Sequence, residues 1–133
     1  MDDLFNLVKK CQNNAYSPIS HYNVGAVLIC ESGKIYEGCN VEDGSTRCGC
    51  CAERVAFFSA ITAGERKFRS LILIGSYKNK PLDKITPCGT CRQFMSEFCD
   101  DNFEIINYYQ NKDKLHIAKY KLIDIFPNKF TLN

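Results

Sequence analysis

The stretch RCGCCAER, residues 47–54, places sulfur and carboxylate groups side by side. Its three cysteines fall within four positions: Cys48, Cys50 and Cys51. An acid, Glu53, follows two residues after the last of them. Cysteine thiolates bind transition metals, and a carboxylate can accept and return protons. The stretch therefore indicates a metal site, acid–base chemistry, or both together.

The stretch PCGTCRQ, residues 87–93, offers a second pair of sulfurs, Cys88 and Cys91, in a C-x-x-C spacing. If Pro87 precedes a helix, both thiols lie on the first helical turn and on one face. Unpaired N–H groups and the helix dipole favour the thiolate there, and the thiolate is the form that binds metal. A thioredoxin-like redox pair is the competing use of one C-x-x-C, but this motif does not directly follow an N-terminal strand. We therefore expect metal binding.

Two zinc sites can be built from these sulfurs. One is a closed structural site with four thiolate ligands, from Cys48, Cys51, Cys88 and Cys91. The other has three thiolate ligands, from Cys51, Cys88 and Cys91, and leaves the fourth position for water. Such an open position lowers the pKa of a zinc-bound water to about 7. Glu53 favours the open site, because a proton-transferring carboxylate has no use in a structural one.

Arg54 adjoins the sulfur cluster and has two interpretations. Three thiolates and one zinc ion carry a net negative charge, which disfavours hydroxide on the metal. Hydrogen bonds from Arg54 to the sulfurs would offset that charge from outside the ligand set. The alternative is an ordinary solvated helix arginine, and spacing alone does not decide between the two.

Hydrophobic periodicity predicts the elements that must position these residues. They are a helix over 3–14, a hairpin of strands 24–30 and 34–41, a helix from Cys51 to Gly64, a buried strand over 70–76, a helix from about Cys88 through residue 99, strands over 103–109 and 115–122, and a terminal segment over 123–130. Helices and strands intermix along the chain. The pattern predicts an α/β fold, a three-layer sandwich with a mixed, about five-stranded sheet flanked by helices.

Composition sets the broad class. The 133 residues, 45% hydrophobic and 24% charged, suit one soluble domain over 1–133. A net charge of +2 with scattered basic residues does not suggest a nucleic-acid partner. The acidic start MDDLFNLVKK does not resemble a signal peptide, and no apolar run approaches the roughly 20 residues of a membrane helix. We therefore expect a cytoplasmic protein with no membrane partner.

The nine cysteines need an account of their own. An odd number in a reducing compartment argues against a disulfide framework. Metal binding by a subset is the better use of these thiols. The others are expected to serve as small buried hydrophobic residues: Cys11, Cys30, Cys39 and Cys99.

The C-x-E and P-C-x-x-C elements resemble the signature of zinc-dependent nucleoside deaminases, with cysteine in place of the first histidine ligand. The wider chain resembles the cytidine deaminase family in its small, single-domain form. Five blocks carry the resemblance in the family's order, from residue 16 to residue 130: YSPISHYNVGAVL, GCNVED, CAER, PCGTCRQFMSEF and IFPNKF. Five blocks in register could hardly arise by chance.

The resemblance implies a Zn²⁺ ion in each subunit with three ligands: Cys51, Cys88 and Cys91. Glu53 would then be the catalytic proton shuttle, while Cys48 and Cys50 would take no part. The implied reaction is the hydrolytic deamination of cytidine and 2′-deoxycytidine to uridine and 2′-deoxyuridine, with release of ammonia. This is a step of pyrimidine salvage.

The resemblance also implies substrate contacts. Asn40 and Glu42 match the residues that hold the ribose hydroxyls, and Tyr22 falls where the family usually has Phe against the pyrimidine ring. Ala52, within CAER, joins the substrate-binding set. Phe130 matches an aromatic residue that enters a neighbouring subunit's site in tetrameric members, which implies a homotetramer with shared active sites. Without the resemblance, the same residues suggest only a polar strand end, a core aromatic and a hydrophobic residue near the C-terminus.

The loop after GCNVED departs from the family pattern. Asp43, Thr46 and Arg47 replace Asn, Tyr, and Gly or Pro. An arginine here could meet a phosphate or another anionic group, or simply be solvated. Two alternatives stay open: a deaminase of another nucleoside, such as an antibiotic or modified one or a base within RNA, and a non-enzymatic four-cysteine zinc module. Cys48→Ala separates the module, which would lose its metal, from the enzyme, which would keep it.

Overall fold

The computed structural model describes residues 2–45 and 49–132, with the backbone alone at Asp2. Within these ranges the chain forms four helices and five strands. In chain order they are α1 (Asp2–Asn13), β1 (Tyr22–Cys30), β2 (Ile35–Cys39), α2 (Ala52–Thr62), β3 (Phe68–Tyr77), α3 (Gly89–Phe98), β4 (Glu104–Asn111), β5 (Lys114–Lys121) and α4 (Leu122–Ile125). No helix in the described part of the chain has both the length and the apolar character that a membrane span requires.

The five strands form one mixed sheet in the order β2-β1-β3-β4-β5. β1 is antiparallel to both β2 and β3, and β4 is antiparallel to β5. β3 and β4 are parallel, which requires a crossover, and α3 lies within it. The sheet confirms the predicted α/β fold with a mixed, five-stranded sheet.

Helices cover both faces of this sheet. Successive strand residues point to opposite sides, so each face contributes side chains to its own core. On one face α1 packs Val8 against Val27 of β1 and Ile72 of β3. On the other face Leu28 and Leu73 belong to a core with α2 and α3. The three layers confirm the predicted sandwich.

Two glycines let the helices approach the sheet closely. A Cβ added to Gly38 in β2 would lie 2.3 Å from the Ala52 carbonyl oxygen at the start of α2. One added to Gly25 in β1 would lie 2.4 Å from the Val8 carbonyl oxygen of α1. Only residues without a side chain allow such contacts. Gly38 therefore fixes where α2 begins.

The structure corrects three details of the sequence analysis. β2 ends at Cys39 and not at residue 41, because Val41 leaves the ladder for isolated bridges with Tyr16 and Cys50. Leu122, expected to end a strand, begins the short helix α4. Cys39 is only half-buried, whereas the other three thiols expected in the interior are buried: Cys11, Cys30 and Cys99.

Candidate active site

The N-termini of two helices meet at a cluster of three sulfurs. Cys51 is the N-cap of α2 and Cys88 is the N-cap of α3, both with extended backbone and without a side-chain capping bond. Cys91 lies on the first turn of α3 and is fully buried. Unpaired N–H groups and the positive ends of two helix dipoles thus surround the sulfurs and favour thiolates.

The spacing of the sulfurs suits zinc. Sγ of Cys51 lies 3.8 Å from Sγ of Cys88, which lies 3.5 Å from Sγ of Cys91. All three atoms lie within 4.8 Å of one another. A tetrahedral zinc site with Zn–S bonds of about 2.3 Å places its sulfurs about 3.8 Å apart. The three side chains therefore fit a zinc ion without rearrangement.

The three thiols do not hold their protons equally. A hydrogen bond from the Cys91 thiol is the main reason that the pKa of Cys51 falls to about 5, with Arg54 and Cys88 adding to the shift. The same bond, together with burial, raises the pKa of Cys91. Cys51 is therefore the sulfur that most readily carries negative charge. A metal ion must displace the remaining protons before all three thiolates bind it.

Arg54 lies beside this charge. Its Nη2 donates a hydrogen bond to Sγ of Cys51 across 3.6 Å, and its Nε is buried without a partner. Burial alone would lower the pKa of Arg54, but hydrogen bonds to the sulfurs of Cys51 and Cys91 outweigh it and raise the pKa. The guanidinium is thus a fixed positive charge next to the sulfurs of Cys51 and Cys91.

Glu53 occupies the second position of α2, on its first turn and two residues after Cys51, and is only 5% exposed. Burial is the main reason that its pKa is raised to about 7, and the negative charge of Cys51 adds to the shift. A carboxyl group with such a pKa is suited to take up and release protons near neutral pH.

A cavity of about 350 Å³ opens onto these groups. Its lining includes Cys51, Cys88 and Glu53. It also includes four residues expected to bind substrate: Tyr22, Asn40, Glu42 and Ala52. Residues distant in sequence therefore share one pocket with the sulfur cluster.

The Asn40 side chain is engaged with β1. Its Nδ2 donates to the Tyr22 carbonyl oxygen and its Oδ1 accepts from the Val24 N–H, both at 2.8 Å. These two bonds continue the sheet pattern beyond the end of β2. One N–H of the amide and one lone pair of its oxygen stay available for a ligand.

Glu42 is held by the loop before β1. Its Oε1 accepts from the N–H groups of Ile19 and Ser20 at 3.0 Å, and its Oε2 accepts from the Ser20 hydroxyl at 2.5 Å. The hydroxyl of Ser20 is the main reason that the pKa of Glu42 lies below its usual range. The pocket thus presents an ionised, oriented carboxylate.

Several residues of the site were not found from the sequence. Ser20, Ile85 and Thr86 line the cavity, and Arg92 holds the segment before α3. Nε of Arg92 donates to the Pro87 carbonyl oxygen and Nη2 donates to the Thr86 hydroxyl, both at 2.7 Å. The position of Arg92 directly after Cys91 was the only available signal in the sequence.

Phe130 lies away from this cavity, and part of the loop before α2 falls outside the described residues. Phe130 is 65% exposed and lies in a separate surface cavity with Ser96 and Glu97, so it does not line the pocket of its own chain. Arg47 and Cys48 fall outside the described residues.

Comparison with known proteins agrees with this site. The family of the cytidine and deoxycytidylate deaminase zinc-binding region matches residues 1–106. A cytidine deaminase of Sporosarcina psychrophila is 36% identical over 123 residues, which is 92% of this chain and 85% of that one. A probable cytidine deaminase of Dictyostelium discoideum is 33% identical, over 92% and 80% of the two chains. A crystal structure of cytidine deaminase from Burkholderia pseudomallei, 35% identical, covers 97% of this chain and 98% of its own with a TM-score of 0.81.

The chain belongs to the cytidine and deoxycytidylate deaminase family of hydrolytic deaminases. The three-sulfur cluster agrees with the zinc-binding region that defines the family. The resemblance inferred from five sequence blocks is confirmed.

Proposed function

We propose that this protein hydrolyses cytidine and 2′-deoxycytidine to uridine and 2′-deoxyuridine, releasing ammonia in pyrimidine salvage. One observation carries the proposal: the buried carboxyl group of Glu53 lines the same cavity as the sulfurs of Cys51 and Cys88. A proton-transferring group beside a three-sulfur metal cluster serves hydrolysis, whereas a structural zinc site would leave it without a role.

Cys51, Cys88 and Cys91 would hold one Zn²⁺ ion per subunit. When bound, the ion would supply the Lewis acidity that makes water a nucleophile at neutral pH. Arg54 would offset the negative charge of the thiolates through its hydrogen bond to Cys51.

Glu53 would carry the protons of the reaction. Water adds its oxygen to the ring carbon that bears the amino group, and Glu53 takes the proton that the water loses. Glu53 passes this proton to the adjacent ring nitrogen as the oxygen adds, and the nitrogen takes up the electron pair of the ring C=N bond. It then moves a second proton to the amine, which departs as ammonia while the carbonyl of the product forms. Burial of Glu53 keeps bulk water from competing for these transfers.

The other cavity residues would position the nucleoside. The ionised carboxylate of Glu42 and the free hydrogen-bonding capacity of Asn40 suit the ribose hydroxyls. The aromatic ring of Tyr22 would pack against the pyrimidine ring. The Ala52 backbone, fully buried at the start of α2, would border the reacting end of the base.

The assembly proposed is a homotetramer of single-domain chains, residues 1–133, in the cytoplasm. Phe130 would enter a neighbouring subunit's site, which agrees with its high exposure and its distance from the cavity of its own chain. No nucleic-acid or membrane partner is proposed.

The test is ammonia release by the zinc-loaded protein with free cytidine and 2′-deoxycytidine, monitored together with the ultraviolet change of the base. Turnover that is lost in Glu53→Gln with zinc retained supports the proposal. Absence of turnover by zinc-loaded, folded protein contradicts it, and a panel of modified and antibiotic nucleosides and single-stranded RNA then identifies the substrate. Zinc lost from Cys48→Ala would point instead to the four-cysteine structural site.

A further inference from the structure

A hydrogen bond joins Tyr22, which lines the cavity, to Asp83, which lies outside the lining. Tyr22 is the first residue of β1, and Asp83 lies 61 positions later in the segment between β3 and α3. The Tyr22 hydroxyl donates a hydrogen bond to Oδ2 of Asp83 at 2.9 Å. Burial is the main cause that raises the pKa of Tyr22, and the bond to Asp83 adds to it, so the hydroxyl keeps its proton. Tyr22 is also one of the residues that line the cavity.

The backbone around Asp83 is fixed to the sheet. The Asp83 N–H donates to the Gly75 carbonyl oxygen of β3 at 2.8 Å. On one side of it the Leu82 N–H donates to Oε1 of Gln110, and on the other the Ile85 N–H donates to Oδ1 of the fully buried Asn107. These bonds fix the backbone position of Asp83 beside the sheet, although the side chain of Asp83 is exposed.

The Tyr22 ring occupies the space that Gly75 leaves free. A Cβ on Gly75 would lie 2.9 Å from Cε2 and 3.1 Å from the hydroxyl oxygen of Tyr22, and 2.7 Å from Cδ1 of Ile85. Tyr77 meets the ring edge to face at 4.9 Å between centroids. These contacts confine the ring, and the bond to Asp83 fixes the position of its hydroxyl.

We propose that Asp83 is a positioning residue for substrate binding: it holds the Tyr22 ring as the aromatic wall of the base subsite. This inference rests on the proposed function of the same cavity. The wall meets the base before and during the reaction, and Asp83 does not touch the reacting atoms. Loss of the hydrogen bond between Tyr22 and Asp83 should therefore weaken binding of the substrate and of the transition state equally. Such a change raises KM and leaves kcat nearly unchanged.

The experiment compares steady-state kinetics of zinc-loaded wild-type protein, Asp83→Ala, Asp83→Asn and Tyr22→Phe with cytidine. Removing one hydrogen bond to a charged group predicts a rise in KM of about five- to tenfold for Asp83→Ala and Tyr22→Phe, with kcat within about twofold. Asp83→Asn keeps an acceptor oxygen and should fall between wild type and Asp83→Ala. Asp3→Asn, an exposed carboxylate in α1, is the matched control and should behave as wild type.

The double variant Tyr22→Phe/Asp83→Ala tests whether the two groups act together. Its KM should be no higher than that of the worse single variant, because both changes break the same bond. Multiplying effects, an unchanged KM in either single variant, or Asp83→Asn equal to Asp83→Ala would overturn the proposal. If Asp83→Ala fails to fold, Tyr22→Phe decides alone through its KM. A wild-type protein without deaminase activity defeats the proposed function, whereas an active one with unaltered Asp83 variants defeats this inference only.

Discussion

The Sγ atoms of Cys51 and Cys88 lie 3.8 Å apart, although 37 positions separate the two residues in the chain. Each sulfur stands at the start of a different helix, and neither helix would bring them together alone. The close packing of α2 on Gly38 and the hydrogen bonds of Arg92 before α3 set the two helix starts side by side. The three-sulfur cluster is therefore a product of tertiary packing.

Glu53→Gln should keep zinc bound but lower kcat. The amide matches the carboxyl group in size, yet it cannot take up and return a proton. General acid–base groups contribute about 10²- to 10⁴-fold to rate, so a loss of that order is expected. Steady-state kinetics and zinc content measure the two effects together. Near-normal turnover by this variant would remove Glu53 from the mechanism.

Cys91→Ala should lose zinc and fall in thermal stability, because the buried thiolate is a proposed ligand and metal binding couples to folding. Zinc content by mass spectrometry of metals and Tm by calorimetry are the measurements. Cys99→Ala is the matched control: it also removes a buried thiol of α3's C-terminal end but should keep its zinc. Equal zinc content in both variants would refute the ligand assignment.

Gly38→Ala should destabilise the fold and displace the site. The added methyl carbon would lie 2.3 Å from the Ala52 carbonyl oxygen, so α2 must move away from β2 and carry Cys51 and Glu53 with it. Overpacking of this kind costs about 1–3 kcal/mol, and kcat should drop as well. Urea denaturation and kinetics measure both. Gly44→Ala, where nothing lies within 4 Å, is the control, and a Gly38 variant as stable and active as that one would contradict the proposed packing role.

Alkaline pH should weaken the fold through Cys30. Burial, assisted by the charge of Glu65, raises the pKa of this thiol to about 11 from an ordinary value of 9.0. The unfolded chain thus loses this proton at lower pH than the native protein does. The contribution of the protonated Cys30 thiol to the free energy of unfolding is therefore fully present below pH 9.0 and is lost as pH rises toward about 11. The free energy of unfolding of the wild-type protein should fall more steeply across this range than that of Cys30→Ala, as measured by urea titrations under reducing conditions. Parallel curves would show that Cys30 does not titrate as described.

The sequence by itself determined the chemical groups and the local elements. The C-x-x-C of PCGTCRQ places Cys88 and Cys91 within one turn, so their proximity is a local property that spacing reveals. Apolar alternation and continuous apolar runs likewise revealed β1 and β3, because the burial of a strand is visible in its own residues. The ends of β2 and β5 were missed, because Val41 leaves the ladder for isolated bridges and Leu122 begins the short helix α4.

Only the tertiary structure decided which distant groups meet. The bonds of Glu42 to Ser20, of Tyr22 to Asp83 and of Arg54 to Cys51 determine charge and orientation in the cavity. The first two join segments far apart in the chain, and no local pattern encodes which segment will stand opposite. Even the Arg54 contact, three residues from its partner, depended on the side chain turning inward and not to solvent. The sheet order and the close helix contacts at glycine select these pairs, because packing and not sequence neighbourhood sets the distances between side chains.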